Sequence, residues 1–302
     1  MAKLSREIVD ELLRDGREFT PERIGPASRL LSLLHEANGY RAPRLERDIA
    51  YGPDPRHRLD VHLPDTPADG LPVLLYVPGG GFVGGDKHDA ESPYYDHLGG
   101  WAVRNGMVAV TMNYRLAPQH RWPAAAQDIA AALGWTRELI AGFGGDPRRI
   151  VLAGQSAGAA HVASFIAGHG GPGPDALAAA VMLSGIYDPA SAEQNVLLHA
   201  YYGDDPDGFA ERCALPGLVS ATLPMLFGVA ELDMPDFHRQ AVTLLDAMIA
   251  ARGVIPPFVT VPDHTHLSEI LSLGLDDDAF GAVLARFVHG STRTTRPANS
   301  AA

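Results

Sequence analysis

The chain has 302 residues, of which 46% are hydrophobic and 20% charged, and its formal net charge is −12. A chain of this length and composition can bury a sizeable core, as one large domain or two smaller ones, which argues against general disorder. The acidic balance and the lack of a Lys/Arg cluster argue against a surface for nucleic acid or for an anionic membrane, and neutral or cationic small substrates fit better.

The cysteine content and the hydropathy pattern exclude further classes of protein. Cys213 is the single cysteine, so an intramolecular disulfide framework is excluded, and we expect this residue to be a small buried hydrophobe. No Cys/His spacing resembles a zinc site, and no metal is expected. The N-terminal stretch has no continuous apolar segment, and no window reaches the length of a membrane span. A cytoplasmic protein without a membrane partner is therefore expected.

The first elements in chain order are helical. Apolar residues recur at helical spacing within residues 8–13 and again within residues 30–34, which predicts two amphipathic helices before any strand. From about residue 47 the pattern changes to short apolar runs bounded by Gly or Pro, which are typical of buried strands. The predicted strands are 57–64, 72–77, 106–113, 149–154, 177–185, 223–229 and 256–261.

Helix-length segments separate these strands. The predicted helices are 124–141, 156–168, 237–252 and 276–289. Strands that alternate with helices imply right-handed βαβ crossovers and a mostly parallel sheet, so the fold class is α/β. Residues 189–220 have weak periodicity between two clear strands and could be an insertion over the sheet edge. The small and polar tail, residues 291–302, is expected to be disordered.

A serine stands at the junction of a strand and a helix. The run "RIVLAGQSAGAA" places Ser156 in a Gly-x-Ser-x-Gly pattern, in the context of a sharp turn that lifts a serine hydroxyl clear of the sheet. A serine needs a base to accept its proton, and the base needs an acid to orient it. Three acids follow a later strand and two histidines follow the last strand: Glu231, Asp233, Asp236, His264 and His266.

A glycine-rich loop follows the strand at 72–77. "YVPGGGFVGGDK" has five glycines in twelve residues, and a loop with so few side chains lets its backbone approach another group closely. Attack on an acyl carbonyl creates an oxyanion, which preorganised backbone N–H groups stabilise. We therefore predict an oxyanion hole formed by the N–H groups of Gly80, Gly81 and Ala157. The simpler interpretation is a flexible glycine turn.

Five segments together carry a family resemblance: "PGGGF" at 78–82, "NYRLAPQHRWPAAAQD" at 113–128, "GGDPRRIVLAGQSAGA" at 144–159, and the late "ELD" and "HTH". With them the chain resembles the hormone-sensitive-lipase-like esterases of the α/β-hydrolase fold, and it also resembles kynurenine formamidases. The resemblance spans about residues 51–288. The order serine, acid, histidine is also that of α/β-hydrolases.

The resemblance implies residue roles. It selects Asp233 over Glu231 and Asp236 as the acid, and it favours His266, which an apolar residue follows, over His264 as the base. The family usually begins the glycine motif with histidine, where this chain has Pro78. Proline fixes its own φ and removes one N–H, which alters the support of the loop without removing the donors further on.

The same motifs imply a structural pair below the site. In the segment that begins at Asn113, we expect Arg115 and Asp128 to pair and to fix the loop that the segment forms. The simpler interpretation of these two residues is a pair of separate surface charges.

The resemblance also implies the architecture and the reaction. Residues 47–290 would form the catalytic domain, with a helical cap from residues 1–46 and from the possible insertion at 189–220. The reaction would be hydrolysis of a small or medium carboxylic ester through an acyl-enzyme on Ser156, without a cofactor. An arylformamidase-type amidase, an acyltransferase and a noncatalytic ligand-binding protein remain alternatives. A homodimer is possible by the same resemblance.

Overall fold

The structure is a computed structural model that describes residues 10, 20–171, 173–275, 278 and 280–293. Its centre is one sheet of eight strands in the order β1-β2-β4-β3-β5-β6-β7-β8. β1 and β2 pair antiparallel, as do β2 and β4, and all other neighbours are parallel. The strands are Arg44–Ala50 (β1), Arg58–Leu63 (β2), Leu71–Val77 (β3), Val108–Met112 (β4), Gly145–Gln155 (β5), Ala179–Leu183 (β6), Met225–Leu232 (β7) and Phe258–Thr265 (β8).

Ten α-helices are found in the described part of the chain. They are Pro21–Asn38 (α1), Asp96–Arg104 (α2), Ala124–Leu139 (α3), Ala157–Ile166 (α4), Val196–Tyr202 (α5), Phe209–Arg212 (α6), Leu215–Ser220 (α7), Pro235–Arg252 (α8), Ser268–Leu271 (α9) and Gly281–Ser291 (α10). Short 3₁₀ turns lie at Ile140–Phe143, Pro174–Ala176 and Pro206–Gly208. Among the described residues, no helix combines the length and the apolar character that crossing a membrane requires.

The alternation of side chains along the central strands divides the core into two layers. In β3, Val73, Leu75 and Val77 pack with α3, α4 and α8 on one face of the sheet. Leu74 and Tyr76 point to the other face, where they pack with α1, α2 and α10. Successive side chains of a strand point to opposite faces, so a strand covered on both sides is apolar throughout. This arrangement is a mostly parallel sheet flanked by helices and confirms the predicted fold class.

The seven predicted strands are all present, and the structure adds an eighth, β1, at an edge of the sheet. Sequence reasoning missed β1 because its residues alternate between exposed and half-buried positions and include several charges. The register between β1 and β2 also shifts between Glu46 and Ile49, which is the irregularity of a bulged edge strand. The short helix α2 was missed as well, since two glycines interrupt its apolar pattern.

Most of the predicted helices are present in the structure, and one lies almost entirely outside the described residues. The helix expected around residues 30–34 is part of α1, and α3, α4, α8 and α10 lie at the predicted segments with end shifts of a few residues. Of the helix expected at residues 8–13, only Asp10 lies within the described residues, where it is helical. Most of the tail expected to be disordered, residues 294–302, lies outside them.

Candidate active site

Ser156 stands between β5 and α4, in the tight turn that the sequence pattern indicated. Its backbone has φ 57° and ψ −126°, a strained conformation for a residue with a side chain. The glycine two positions later permits this turn, because a Cβ on Gly158 would collide with the carbonyl oxygen of Val77 on the neighbouring strand. The turn therefore presents the half-buried Ser156 hydroxyl at the carboxyl edge of the sheet.

The structure brings Ser156, His266 and Asp233 together at this edge. The Ser156 hydroxyl lies 2.8 Å from Nε2 of His266, and Nδ1 of the same ring lies 2.8 Å from Oδ1 of Asp233. Since a carboxylate only accepts, Nδ1 carries the proton and Nε2 can accept a hydrogen bond from the serine hydroxyl. Asp233 is fully buried and follows β7, whereas His266 follows β8 and is 4% exposed.

The competing candidates lie elsewhere. His264 is buried, and its Nδ1 is 2.9 Å from the Ser268 hydroxyl rather than near the serine of the turn. Burial lowers the pKa of His264 to about 4. Glu231 accepts a hydrogen bond from the backbone of Asp263, and Asp236 pairs with Arg239 at 3.3 Å. Of these five acids and histidines, Asp233 and His266 are therefore the two that form the hydrogen-bonded chain to Ser156.

The glycine loop lies beside Ser156 and lines the same cavity. Gly80 and Gly81 have φ values of 136° and 57°, which only glycine adopts without strain. A Cβ on Gly80 would collide with the Gly84 carbonyl group, and the Gly80 carbonyl accepts from Gly84 N at 2.9 Å. Within the described structure, the N–H groups of Gly80 and Gly81 donate to no protein acceptor. They are therefore available to a ligand.

Aromatic packing supports this loop. The Phe82 ring stacks on Tyr201 of α5 with ring centroids 5.0 Å apart, and it meets His161 of α4 edge-on at 5.5 Å. The carbonyl of Pro78, at the position where the related motif has histidine, accepts a hydrogen bond from the Tyr114 hydroxyl at 3.0 Å. The loop is thus fixed at its start and at its end.

The predicted pair Arg115–Asp128 is confirmed. The Arg115 side chain donates Nε–H to Asp128 Oδ1 at 2.8 Å, and its backbone N–H donates to Oδ2 at 2.7 Å. Oδ1 of Asp128 also accepts a hydrogen bond from Nε2 of His57 at 3.0 Å. The pair ties the segment after β4 to α3, below the site.

Ser156 opens into a cavity of about 520 Å³. Most of its wall is apolar, and the larger apolar side chains are Phe82, Tyr95, Ile186, Leu197, Leu198, Met234, Phe237 and Leu267. The cavity wall also contains two acidic residues, Glu193 and Asp236, in addition to the polar groups near Ser156. The Phe237 ring stacks on the imidazole of His266 with centroids 4.3 Å apart, which restricts the rotation of the histidine ring.

Sequence reasoning missed three polar residues behind the site. Ser184, after β6, donates its hydroxyl to Asp233 Oδ2 at 2.5 Å. Gln155 donates its amide to the carbonyl of His266 at 2.6 Å and to Glu269 Oε1 at 3.1 Å. The available signal was position alone, since Gln155 precedes the serine and Ser184 lies one residue before the end of a predicted strand.

One cluster of residues near the site has side chains of the types that can bind a metal ion. Ligand atoms of Asp233, His266 and Glu269 lie within 4.8 Å of one another. The nearest atoms of Asp233 and His266 already pair with each other, and the remaining ring nitrogen faces Ser156. This geometry favours a hydrogen-bonded relay over ligation of an ion.

An acid, a histidine and a serine in this hydrogen-bonded order, at the carboxyl edge of a mostly parallel sheet, are typical of serine hydrolases with the α/β-hydrolase fold. Comparison with known proteins agrees. A family model described as BD-FAE matches residues 59–172. Esterase LipQ of Mycobacterium tuberculosis is 34% identical over 88% of this chain and 69% of its own length. Carboxylesterase NlhH of the same organism is 39% identical over 74% of this chain and 66% of its own length.

A solved structure extends the likeness to the fold. The esterase of Pyrobaculum calidifontis superposes with a TM-score of 0.70 at 21% identity, over 96% of this chain and 99% of that one. The chain belongs to the esterase family of α/β-hydrolases, and the family resemblance inferred from its motifs is confirmed.

Proposed function

We propose that this protein is a serine carboxylesterase in which Ser156 is the nucleophile, His266 the general base and Asp233 the acid that orients it. The predicted reaction, hydrolysis of carboxylic esters, agrees with the esterases and carboxylesterases among the relatives. The observation that carries the assignment of residues is the continuous chain of two 2.8 Å contacts from the Ser156 hydroxyl through the imidazole to Asp233.

The reaction follows from this geometry in two halves. His266 Nε2 accepts the Ser156 proton as the hydroxyl oxygen attacks the ester carbonyl, and the imidazolium then returns that proton to the departing alcohol. The acyl group remains on Ser156. Water loses a proton to the same nitrogen and attacks the acyl-enzyme. As the bond between the acyl carbon and the Ser156 oxygen breaks, the imidazolium returns that proton to the serine oxygen, and the carboxylic acid is released. The buried Asp233 stabilises the imidazolium in both halves.

The oxyanion of each tetrahedral intermediate would bind to backbone N–H groups. We assign Gly80, Gly81 and Ala157 as the donors. Gly80 and Gly81 carry unpaired N–H groups at the cavity wall, and Ala157 begins α4, where the first N–H groups of a helix lack intrahelical partners. Donors placed in advance need no reorganisation when the charge develops.

The cavity suggests the size and charge of the substrate. Its volume of about 520 Å³ lies within the roughly 300–1,000 Å³ of small-molecule pockets. The apolar wall fits a small or medium acyl chain. Glu193 and Asp236 at the cavity disfavour an anionic substrate and leave neutral or cationic esters as the favoured class.

Residues 189–220 supply the cap in this proposal. Glu193, Asn195 and the two leucines of α5 line the cavity. The described part of α1 lines a neighbouring cavity through Ser28, Arg29 and Ser32, so a role for residues 1–46 in capping the site stays a prediction. A homodimer and a cytoplasmic location also stay predictions.

The direct test compares p-nitrophenyl esters of increasing acyl length with an N-formyl anilide, using the protein and its Ser156→Ala variant. We expect ester turnover that falls for long acyl chains, exceeds formamide turnover and disappears in the variant. Faster cleavage of the formyl anilide would instead support an arylformamidase. Ester turnover that survives in Ser156→Ala would refute the assigned nucleophile.

A further inference from the structure

A fourth ionisable side chain lies behind the three proposed catalytic residues. Glu269 belongs to the short helix α9, three residues after His266, and is completely buried. Atoms of its carboxyl group, of Asp233 and of His266 lie within 4.8 Å of one another. Two buried carboxyl groups at this separation do not both ionise, because the second charge is repelled by the first and has lost its hydration.

The hydrogen bonds decide which carboxyl group keeps the proton. Asp233 accepts from His266 Nδ1 at 2.8 Å, from the Ser184 hydroxyl at 2.5 Å and from the backbone N–H of Met234 at 2.9 Å. Glu269 accepts at Oε1 from Gln155 at 3.1 Å. Its Oε2 has no hydrogen-bond partner within the described part of the chain. Three donors stabilise a negative charge on Asp233 far better than one stabilises it on Glu269.

Within the described part of the chain, the other groups around Glu269 offer it no positive charge while His266 is neutral. Tyr76 of β3 and Tyr187, after β6, face it, and burial raises the pKa of each phenol above its ordinary value. The Ser184 hydroxyl also approaches the carboxyl group. Burial and the charge of Asp233 together raise the pKa of Glu269 well above its ordinary value.

We propose that Glu269 is a positioning residue held as a neutral carboxylic acid, which fixes Gln155 between the nucleophile turn and the His266 loop and leaves Asp233 as the sole carboxylate beside His266. The Gln155 amide makes this connection, since it donates to both Glu269 Oε1 and the His266 carbonyl. The role in catalysis rests on the proposed function, whereas the protonation state of Glu269 does not.

The pH profile of ester hydrolysis separates a neutral Glu269 from an ionised one. In Glu269→Gln the amide keeps the shape, the acceptor for Gln155 and the zero charge. We expect kcat within a few-fold of the parent and an unchanged acid limb of kcat/KM. An ionised Glu269 would favour the protonated imidazole, so its neutralisation would move the acid limb to lower pH by about one unit or more. That shift would overturn the proposal.

A second variant tests positioning. Glu269→Ala removes the acceptor for Gln155, so we expect kcat to fall roughly 10- to 100-fold, with KM changed little because Glu269 does not line the cavity. An unchanged kcat in a folded Glu269→Ala protein would refute the positioning role.

Infrared spectroscopy tests the protonation state without any turnover. At pH 8 the half-buried Asp278, the other acid with a raised pKa among the described residues, is ionised because its pKa is about 6. With ¹³C-labelled glutamate, the parent protein should show a protonated carboxyl band at this pH that is missing in Glu269→Gln. The exposed Glu138 is the control, since Glu138→Gln should remove carboxylate bands alone. Absence of the protonated band in the parent protein would overturn the proposal even if ester hydrolysis were confirmed, and its presence would stand if no ester were cleaved.

Discussion

At the scale of single residues, the orientation of one imidazole ring decides what Ser156 can do. His266 is held by Asp233 at Nδ1 and by the stacked ring of Phe237, and these contacts leave Nε2 directed at the serine. A carboxylate at Nδ1 fixes the tautomer as well as the position. We therefore expect Asp233 to affect catalysis rather than substrate binding.

Asp233→Asn tests this assignment. An amide nitrogen beside the ring would favour the tautomer with the proton on Nε2, and that ring cannot accept the serine proton. We expect kcat to fall by about 10⁴-fold with KM nearly unchanged, as in serine proteases. Glu231→Gln serves as the control, because this exposed acid binds a backbone N–H outside the cavity and should leave kcat within a few-fold. Equal losses in both variants would contradict the assignment.

The residues of the proposed triad could be predicted from motifs, whereas their support could not. Ser156 stands in a recognisable pattern, and the strand ends place Asp233 and His266 at the same sheet edge. Ser184, Gln155 and Glu269 come from three separate segments, and their roles depend on contacts of 2.5–3.1 Å that are made only in the folded chain. A single sequence contains no spacing rule for such contacts.

At the scale of elements, the loop after β3 combines a positive-φ backbone with unpaired N–H groups. Gly80→Ala would strain the backbone and push the loop away from Gly84. We expect kcat to fall by roughly 10²- to 10³-fold, the loss seen when one oxyanion donor is removed. A urea titration of the variant checks that it is folded. A folded variant with full kcat would refute the assigned donors.

In the proposed cap, helix α5 is expected to limit the length of acyl chain that fits. Leu197 lines the cavity beside Gly81, whereas the neighbouring Val196 is 82% exposed and does not line it. Leu197→Trp should lower kcat/KM for octanoyl esters by roughly 10-fold or more relative to acetyl esters, because the larger ring fills the cavity. Val196→Trp is the matched control and should keep the parent ratio. An unchanged ratio in Leu197→Trp would place the acyl chain elsewhere.

The edges of the fold were harder to infer than its centre. β3 and β5 are buried on both faces, so their apolar runs identify them unambiguously. β1 is covered by a neighbour on one side, and its polar alternation resembles a loop. The course of residues 189–220 likewise depends on tertiary contacts, such as the Phe82–Tyr201 stack, rather than on periodicity.

At the scale of the whole molecule, buried histidines make stability depend on pH. Burial lowers the pKa to about 4 in His62 and His264 and to about 3 in His97 and His161. The unfolded chain binds protons at these sites below about pH 6.5, while the folded chain does not. Each histidine therefore lowers the free energy of unfolding by roughly 1.4 kcal/mol for every unit that the pH falls, from pH 6.5 down to the pKa of that histidine in the folded chain.

Among the described residues, two acids with raised pKa values oppose this trend, the buried Glu269 and the half-buried Asp278. The pKa values of Glu269 and Asp278 are raised, so their folded-state protons favour folding as the pH falls from about 7 to 5. Four histidines outnumber two acids, and we expect the urea midpoint to fall from pH 7 to pH 5.5. His161→Leu should flatten this dependence by roughly 1.4 kcal/mol per pH unit. A midpoint that rises on acidification, or an unchanged slope in His161→Leu, would contradict the expectation.

In the proposed reaction, an ester transfers its acyl group to Ser156. Rapid acid quench of the protein with p-nitrophenyl butyrate, followed by peptide mass spectrometry, measures that transfer directly. We expect a butyryl group on Ser156 within the first turnover and no such adduct in Ser156→Ala. Release of p-nitrophenol by the parent protein with an adduct on another residue, or with full activity in Ser156→Ala, would contradict it.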